Sequence, residues 1–238
     1  MDKQKILKKL VFAGLVCMVD FMLVRLNEDG NLILIFDGAA YDSHVYYYMF
    51  PFFIFACYSM YIHGEFGEYV SKTGICLLVR AGRGRLYEKL CAKLVGMYCF
   101  ILTIHLAGYG IGCFVLCGRV YLSDIKLFVC MLAINVLVYF LVFLVQMILE
   151  LWLTGRTAMY IIMIYYLASL YVGDCLYRAE NQVLPCHFPF LPNIAMRLRL
   201  EKLAGFPETA ATGIILLGGI TAGFYGIGRK MFNKKDII

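Results

Sequence analysis

Four polar side chains stand inside otherwise apolar stretches of this 238-residue sequence: Asp20, His105, Asn135 and Gln146. A charged or strongly polar group at the depth of a lipid bilayer is costly to desolvate, so it usually faces the interior of a helix bundle. There it can line a pathway or bind a polar group of a substrate, or it can hydrogen-bond a neighbouring helix and serve packing alone. Packing is the favoured interpretation, though only slightly for Asp20, the one acid among them.

The familiar catalytic and metal-binding motifs are absent from the sequence. It contains no GxxxxGKS or GxxxxGKT phosphate-binding loop, no HExxH metal-ligand pair and no GxSxG nucleophile turn. Its ten cysteines include no CxxC pair, and its four histidines are scattered. Gly82 and Gly84 begin a pattern like a dinucleotide-binding loop, but Tyr87 stands where the third glycine would be. We therefore expect that the chain is not an enzyme and binds no metal and no cofactor directly.

The elements that position these side chains are predicted from hydropathy. Hydrophobic residues make up 62% of the chain and charged residues 16%, against roughly 25% charged in soluble domains. Six apolar stretches approach the roughly 20 residues that an α-helix needs to cross a bilayer. They are residues 10–26, 45–62, 94–117, 127–149, 158–172 and 210–228. The sequence therefore predicts an all-α integral membrane protein with six transmembrane helices, forming a single transmembrane domain over residues 1–238.

Lysine and arginine residues determine the predicted orientation of these spans. Most of the 22 basic residues lie at the termini and in the connections at 63–93 and 150–157. Positive residues are retained on the cytoplasmic side, so these segments are predicted to be cytoplasmic, and residues 173–209 form an outer loop. Anionic lipid at the cytoplasmic surface accounts for the net charge of +6, so we expect a lipid membrane as partner and no nucleic acid.

The outer loop contains two features that a structure can examine. Cys175 and Cys186 both lie in it, and they can form a disulfide in an oxidising exterior or remain two free cysteines. Residues 194–203 have helical spacing, with basic residues interspersed with leucine. This pattern predicts a short amphipathic helix lying on the outer surface of the membrane.

Glycines at helical spacing mark predicted close contacts between helices, because small residues let two backbones approach. They are Gly108, Gly110 and Gly112 in the third span and Gly218, Gly219, Gly223 and Gly226 in the sixth. These contacts concern the bundle or a partner subunit, and they carry no information about a substrate.

The cytoplasmic connection at residues 63–93 is the most informative segment. Residues 85–94 have helical spacing, with a basic stripe beside a leucine stripe, which predicts an amphipathic helix lying flat at the membrane surface. Gly82 and Gly84 predict a break in the helix just before it. An ordinary basic interfacial helix that stabilises the topology is the alternative interpretation.

This connection resembles the segment that follows the second span in small six-span membrane subunits of ABC-2-type exporters, including those that serve bacteriocin and lantibiotic export or immunity. The matching residues are Leu77-Leu78-Val79-Arg80, then Arg83 and Arg85, then Tyr87 and Lys89. Tyr87 departs from the family pattern, in which tryptophan is more frequent. In architecture the resemblance extends to the whole chain, through its length, six spans, cytoplasmic termini and long outer loop.

The resemblance implies the bundle fold of ABC-2 (type V ABC exporter) proteins in the bacterial cytoplasmic membrane. It implies that the connection is a coupling helix that docks on a separate ABC ATP-binding subunit, which holds the ATP and Mg²⁺. The implied coupling residues are Arg80, Arg83, Arg85, Tyr87, Glu88 and Lys89. A second transmembrane subunit, identical or related, would complete the exporter, and its expected cargo is a peptide or a lipid-like molecule. A non-transporting binding, immunity or assembly protein and a membrane-embedded enzyme are the alternatives.

Overall fold

The computed structural model describes residues 3–69, 75–203 and 210–234. Within these ranges the regular structure is helical, and β-type pairing is confined to an isolated bridge between Asn31 and Tyr121. The prediction of an all-α fold is therefore confirmed.

The helices, numbered in chain order, fall into long and short ones. The long ones are α1 (Lys3–Asn27), α2 (Val45–Ile62), α4 (Ile75–Cys117), α5 (Ile125–Glu150), α6 (Gly155–Arg178) and α10 (Ala210–Lys234). The short ones are α3 (Glu65–Tyr69), α7 (Leu184–His187), α8 (Leu191–Ile194) and α9 (Arg197–Leu200), with 3-10 turns at Leu32–Phe36 and Phe188–Phe190. Side-chain caps fix the starts of α5 and α6. The Asp124 side chain accepts hydrogen bonds from the backbone amides of Lys126 and Leu127, and the Thr154 side chain accepts one from the amide of Thr157.

Among the described residues, four helical segments are long and apolar enough to cross a membrane, judged by length and composition. They are Gly84–Cys117, Ile125–Glu150, Gly155–Arg178 and Ala211–Asn233. The chain is therefore a multi-pass membrane protein, as its composition predicts. These segments lie at the predicted third, fourth, fifth and sixth spans.

α1 lies along α4, and the two helices run in the same direction. Their paired residues, from one end to the other, are Phe12 with Phe100, Asp20 with His105, and Asn31, just beyond α1, with Tyr121, just beyond α4. α2 runs in the opposite direction beside α1, since Tyr61 near its end contacts Phe12 near the start of α1. These three helices form one side of the bundle.

Glycines on α4 allow α1 to approach closely. A Cβ on Gly108 would lie 3.1 Å from Cys17 Sγ, and a Cβ on Gly112 would lie 3.3 Å from Val24 Cγ2. On α10, no described atom lies within 4 Å of the equivalent position on Gly218, Gly219, Gly223 or Gly226. Within the described part of the chain, the predicted close contact between helices is confirmed at Gly108 and Gly112. These four α10 glycines make no such contact there, so their contact with a partner subunit stays a prediction.

Aromatic side chains fill the centre of the bundle, where α2 meets α5 and α6. The ring of Phe55 is fully buried and stacks on Tyr166, with centroids 4.2 Å apart, and on Phe143 at 5.9 Å. Tyr58 meets Tyr139 edge to face at 6.1 Å. Offset and edge-on ring pairs stabilise a core beyond the area that they bury, by about 0.5–1.5 kcal/mol each.

Charged side chains gather at the two ends of the bundle. At one end, Glu65 contacts both Lys8 and Lys93, and Glu88 contacts Arg229. At the other end, the ion pairs are Asp29–Arg119, Asp37–Arg197, Asp42–Arg178 and Asp174–Arg199. We call these the inner end and the outer end, because the sequence predicts the first to be cytoplasmic and the second to be outside.

The connection at 63–93 differs from its prediction. The helix break predicted at Gly82 and Gly84 is wrong, because α4 is one continuous helix of 43 residues that begins at Ile75. The physical reason is packing: the leucine stripe, which comprises Leu86, Leu90 and Leu94, is fully buried against the bundle. Burial of a leucine contributes about 1.5–3 kcal/mol, which exceeds the cost of about 1 kcal/mol for a glycine inside a helix.

The segment at 194–203 also differs from its prediction. The interfacial amphipathic helix is wrong, because α8 ends at Ile194 and only Arg197–Leu200 form the next helical turn. Arg199 is fully buried instead of facing the membrane surface. The reason is that acceptors from three other segments surround its guanidinium, as described below.

Candidate functional site

A carboxylate and an imidazole meet inside the bundle, between α1 and α4. Nδ1 of His105 lies 2.7 Å from Oδ1 of Asp20, whose side chain is fully buried. The other carboxylate oxygen, Oδ2, lies against Gly108, where a Cβ would be only 2.6 Å away. A carboxylate and a histidine at this distance can hold one proton between them, so the pair can exist as an ion pair or as two neutral groups.

A small cavity of about 90 Å³ lies next to this pair. Its polar lining consists of Asn27, Asp37, His105 and Asn135, together with Tyr47, Tyr58 and Tyr139. A water molecule needs about 10–15 Å³ of such space, so this cavity is large enough to hold water. The structure thus brings His105 and Asn135 to one cavity wall, and Asp20 joins them through His105.

Segments from the outer end cover the cavity. Leu34–Gly38, around the end of the 3-10 turn, and the pair Ala195 and Met196 form its outer wall. Nδ2 of Asn135 donates to the carbonyl oxygen of Ala195 at 3.4 Å, which connects α5 to this cover. The cavity therefore lies between the spans and an outer cover made of non-adjacent parts of the chain.

Asp37 and Arg197 join the two halves of the outer cover. Nε of Arg197 donates to Oδ1 of Asp37 at 2.6 Å, and its Nη1 donates to Oε1 of Glu201 at 2.8 Å. The amide of Leu198 adds a bond to the carbonyl of Asp37 at 3.3 Å. Burial raises the pKa of Asp37 above its ordinary value, although hydrogen bonding to Arg197 opposes this shift. We call the Asp37–Arg197 pair the outer latch.

Arg199 fixes the outer cover to α6. Its guanidinium donates to Asp174 Oδ1 at 2.9 Å, to the carbonyls of Ala39 at 2.8 Å and Leu170 at 3.1 Å, and to Oδ1 of Asn193. A buried charge is tolerated when it is paired and hydrogen-bonded in this way. The guanidinium also lies 4.7 Å from the ring centroid of Tyr41. Burial raises the pKa of Tyr41 to about 12, although the charge of Arg199 opposes this shift.

Gln146 lies away from the cavity, towards the inner end. It accepts a bond from Ser59 Oγ at 2.9 Å, and its amide donates to the Ser59 carbonyl at 3.2 Å and to Glu150 at 3.3 Å. Glu150 in turn accepts the amide of Gly64 at 3.2 Å. These bonds join α2 to α5, which fits the packing interpretation for Gln146.

The residues expected to contact an ATPase lie at the inner end of α4. Arg85 and Lys89 are exposed, and Glu88 contacts Arg229 on α10 at 3.1 Å. Tyr87 is fully buried, with its ring 5.4 Å from that of Tyr225 and 5.7 Å from that of Phe232. The side chains of Arg80 and Arg83 lie outside the described residues.

Cys175 and Cys186 are both free and exposed in the structure. Among the described residues there is no group of three or more His, Cys, Asp or Glu side chains that could hold a metal ion.

Comparison with known proteins yields a family match over nearly the whole length. Residues 6–238 match the family described as "Protein of unknown function (DUF2705)". The chain belongs to this family. Neither a curated protein nor a solved structure matches the chain.

Sequence reasoning misses Arg199, Asn193 and Asp174 as a connected group. Arg199 is 160 residues away from Ala39, whose carbonyl it binds, so no local spacing indicates the contact. The one sequence signal is Gly173 itself, because a glycine inside a helix can mark close packing. In the structure a Cβ at Gly173 would lie 2.5 Å from Asn193 Oδ1.

Proposed function

We propose that this chain is the membrane-spanning subunit of an ATP-driven ABC exporter in the bacterial cytoplasmic membrane. In this proposal a separate ABC subunit binds ATP and Mg²⁺ and docks on the inner end of α4. A second transmembrane subunit, identical or related, completes the exporter, and a peptide or lipid-like substrate moves outward. One observation carries the proposal: the single helix α4 has an exposed basic surface at the inner end and also forms part of the wall of the buried polar cavity.

The proposal includes six spans, with α1 and α2 added to the four apolar helices. α1 has 25 residues and α2 has 18, which correspond to about 37 Å and about 27 Å at 1.5 Å per residue. The hydrocarbon core is about 30 Å thick. α1 lies beside α4 from Phe12 to Asp20, and the bridge from Asn31 to Tyr121 continues this pairing just beyond both helices. A membrane that encloses α4 therefore also encloses α1.

α4 supports a mechanical connection between the two ends. It is one helix of 43 residues, so a displacement of its inner end moves the whole element. Arg85 and Lys89 present an exposed basic surface on it, while Tyr87 anchors its other face to α10. His105 lies further along the same helix and forms part of the cavity wall. A subunit that pulls on the basic surface would therefore change the shape of the cavity.

Charge reversal at the basic surface tests the proposal. The tagged chain is purified from membranes of its own host, and ATP hydrolysis in the purified fraction is measured. We expect Arg85→Glu with Lys89→Glu to abolish co-purification of the hydrolytic activity, because an acidic docking partner would now be repelled. Lys230→Glu with Arg156→Glu is the matched control, since both are exposed basic residues outside this surface.

Two results would refute the proposal. If the double reversal and the control retain the same ATPase activity, α4 is not the docking element. If no ATPase co-purifies with the wild-type chain, the non-transporting binding, immunity or assembly protein becomes the better interpretation.

A further inference from the structure

A basic pocket of about 210 Å³ lies at the inner end, between α1, α3 and α4. Its lining residues are Lys8, Lys9, Tyr61, Glu65, Lys93 and Met97. Three lysines and one glutamate give this lining a formal charge of +2. Such a pocket favours an anionic ligand.

The carboxylate of Glu65 neutralises only part of the positive charge of the three lysines. Its Oε1 lies 3.0 Å from Lys8 Nζ, and its Oε2 lies 3.1 Å from Lys93 Nζ. Lys9 Nζ contacts the ring of Phe100, at 5.4 Å from the centroid, and Lys9 itself is exposed. Lys93 Nζ also donates to the carbonyl oxygen of Glu65 at 2.8 Å, so Lys93 is well paired. Lys8, beside one carboxylate oxygen, and Lys9, beside a ring, present donors for the oxygens of a phosphate group.

An apolar groove of about 430 Å³ adjoins the basic pocket, between α1 and α2. Val11 and Leu15 of α1 and Met60 of α2 line it, and Lys8 and Tyr61 line both spaces. Tyrosine is favoured at the boundary between headgroups and hydrocarbon. The pocket and the groove together have the two chemistries of a phospholipid, an anionic head and an acyl chain.

We propose that this paired pocket and groove binds one anionic phospholipid of the adjoining leaflet. Its phosphate group lies against Lys8 and Lys9, and one acyl chain lies in the groove between α1 and α2. Basic pockets between membrane helices on the cytoplasmic side bind anionic headgroups in this manner. The site depends on α1 and α2 lying in the membrane and does not depend on transport or on an ATPase.

Lipid titration of the purified full-length chain in a neutral detergent tests the site. Binding of phosphatidylglycerol, phosphatidylcholine and glycerol 3-phosphate is measured by native mass spectrometry and by the shift of the unfolding temperature. We expect phosphatidylglycerol to bind most tightly. Lys9→Gln should weaken it about fivefold, because a lysine near an anionic membrane contributes about 1 kcal/mol. Lys230→Gln removes an equal charge from an exposed position near the same end and should leave binding unchanged.

Three results of this titration overturn the proposal. Equal affinity for phosphatidylcholine shows that the headgroup charge is not recognised. Equal affinity for glycerol 3-phosphate shows a site for free anions without an acyl chain. Equal effects of Lys9→Gln and Lys230→Gln show that the lipid binds elsewhere.

A second pair of variants tests the groove. Val11→Trp fills it and should weaken phosphatidylglycerol binding at least severalfold, whereas Leu10→Trp changes a neighbouring exposed residue outside the groove and should not. If Val11→Trp does not fold, Met60→Trp fills the same groove from α2. Unchanged binding in a folded groove-filling variant would overturn the location of the acyl chain. ATPase co-purification is unaffected by either outcome, so failure here is distinct from failure of the exporter proposal.

Discussion

Replacing Gly108 with alanine tests whether α1 and α4 are held together at the Asp20–His105 pair. The new Cβ would lie 2.6 Å from Asp20 Oδ2 and 3.1 Å from Cys17 Sγ. Non-bonded heavy atoms separate to about 3.5–4.0 Å, so the carboxylate or the whole of α1 must move by about 1 Å. The carboxylate cannot move freely, because His105 Nδ1 lies 2.7 Å from its other oxygen.

The magnitude follows from comparison with a second glycine on the same helix. Overpacking of a closed interface costs about 1–3 kcal/mol. A glycine-to-alanine change within a helix also gains about 1 kcal/mol from helix propensity. Gly96, which also lies on α4, has no other atom within 4 Å of the equivalent Cβ position, so Gly96→Ala gains that propensity without the clash. Gly108→Ala should therefore be less stable than Gly96→Ala by about 1–3 kcal/mol.

Thermal unfolding in one detergent, followed by far-ultraviolet circular dichroism, measures this difference. At about 2–4 °C per kcal/mol for a chain of this size, Gly108→Ala should unfold about 2–12 °C below Gly96→Ala. Gly112→Ala should fall between them, since its nearest contact is 3.3 Å. In the Asp20→Ala background the deficit of Gly108→Ala should shrink, because the closest atom has been removed. Unfolding of Gly108→Ala at or above the temperature of Gly96→Ala would refute the close contact.

Three further outcomes are expected. Arg199→Met should lower stability by about 3 kcal/mol in thermal unfolding, because it leaves Oδ1 of Asp174 and the carbonyls of Ala39 and Leu170 without the donors of Arg199. The exposed Arg178→Met should change stability little, and equal losses would contradict the buried bonding of Arg199. Burial alone would raise the pKa of Glu65, but hydrogen bonds from Lys8 and Lys93 outweigh burial and lower that pKa. The carboxylate of Glu65 therefore contributes to stability above about pH 4.5, and this contribution is lost as the pH falls through the lowered pKa. The stability difference between wild type and Glu65→Gln should accordingly narrow on acidification, and a widening difference would show that the sign is wrong. Reporter tags inserted after Ser123 and after Leu153 should report opposite sides of the membrane, since α5 alone separates them, and a shared side would contradict its crossing.

Hydropathy predicts a helix well where the helix is apolar along its whole length. Residues 45–62 are the bounds of α2 itself, and the apolar run at 127–149 lies within α5 to within two residues at either end. Such segments are apolar along their whole length, so their boundaries coincide with the first polar residues. The same rule starts α4 too late, at residue 94, because it counts Arg85 and Lys89 against a span and disregards the leucine face that they flank.

The burial of residues in the outer cover could not be predicted from the sequence, for a different reason. Leu32–Phe36 forms a 3-10 turn that buries Ile33, Ile35 and Phe36, although a connection between spans is expected to be polar and exposed. Arg199 is buried for a reason that only the assembled fold supplies, since its acceptors come from segments far apart in the chain. A rule based on charge alone places every arginine at the surface, and it fails where tertiary contacts satisfy the whole guanidinium.

The distribution of charge also decides which side of the cavity opens in the proposed exporter. Separating Asp20 from His105 would leave a carboxylate without its partner in a fully buried position, which is strongly unfavourable. Separating Asp37 from Arg197 costs less, because this outer latch lies at the end of the bundle and its side chains, already 15% and 17% exposed, become hydrated when they part. The contact between α1 and α4 is further tied at the inner end by Glu65, which joins Lys8 to Lys93. In the proposed exporter we therefore expect the cavity to open outward through the cover, with α1 and α4 remaining in contact beneath it.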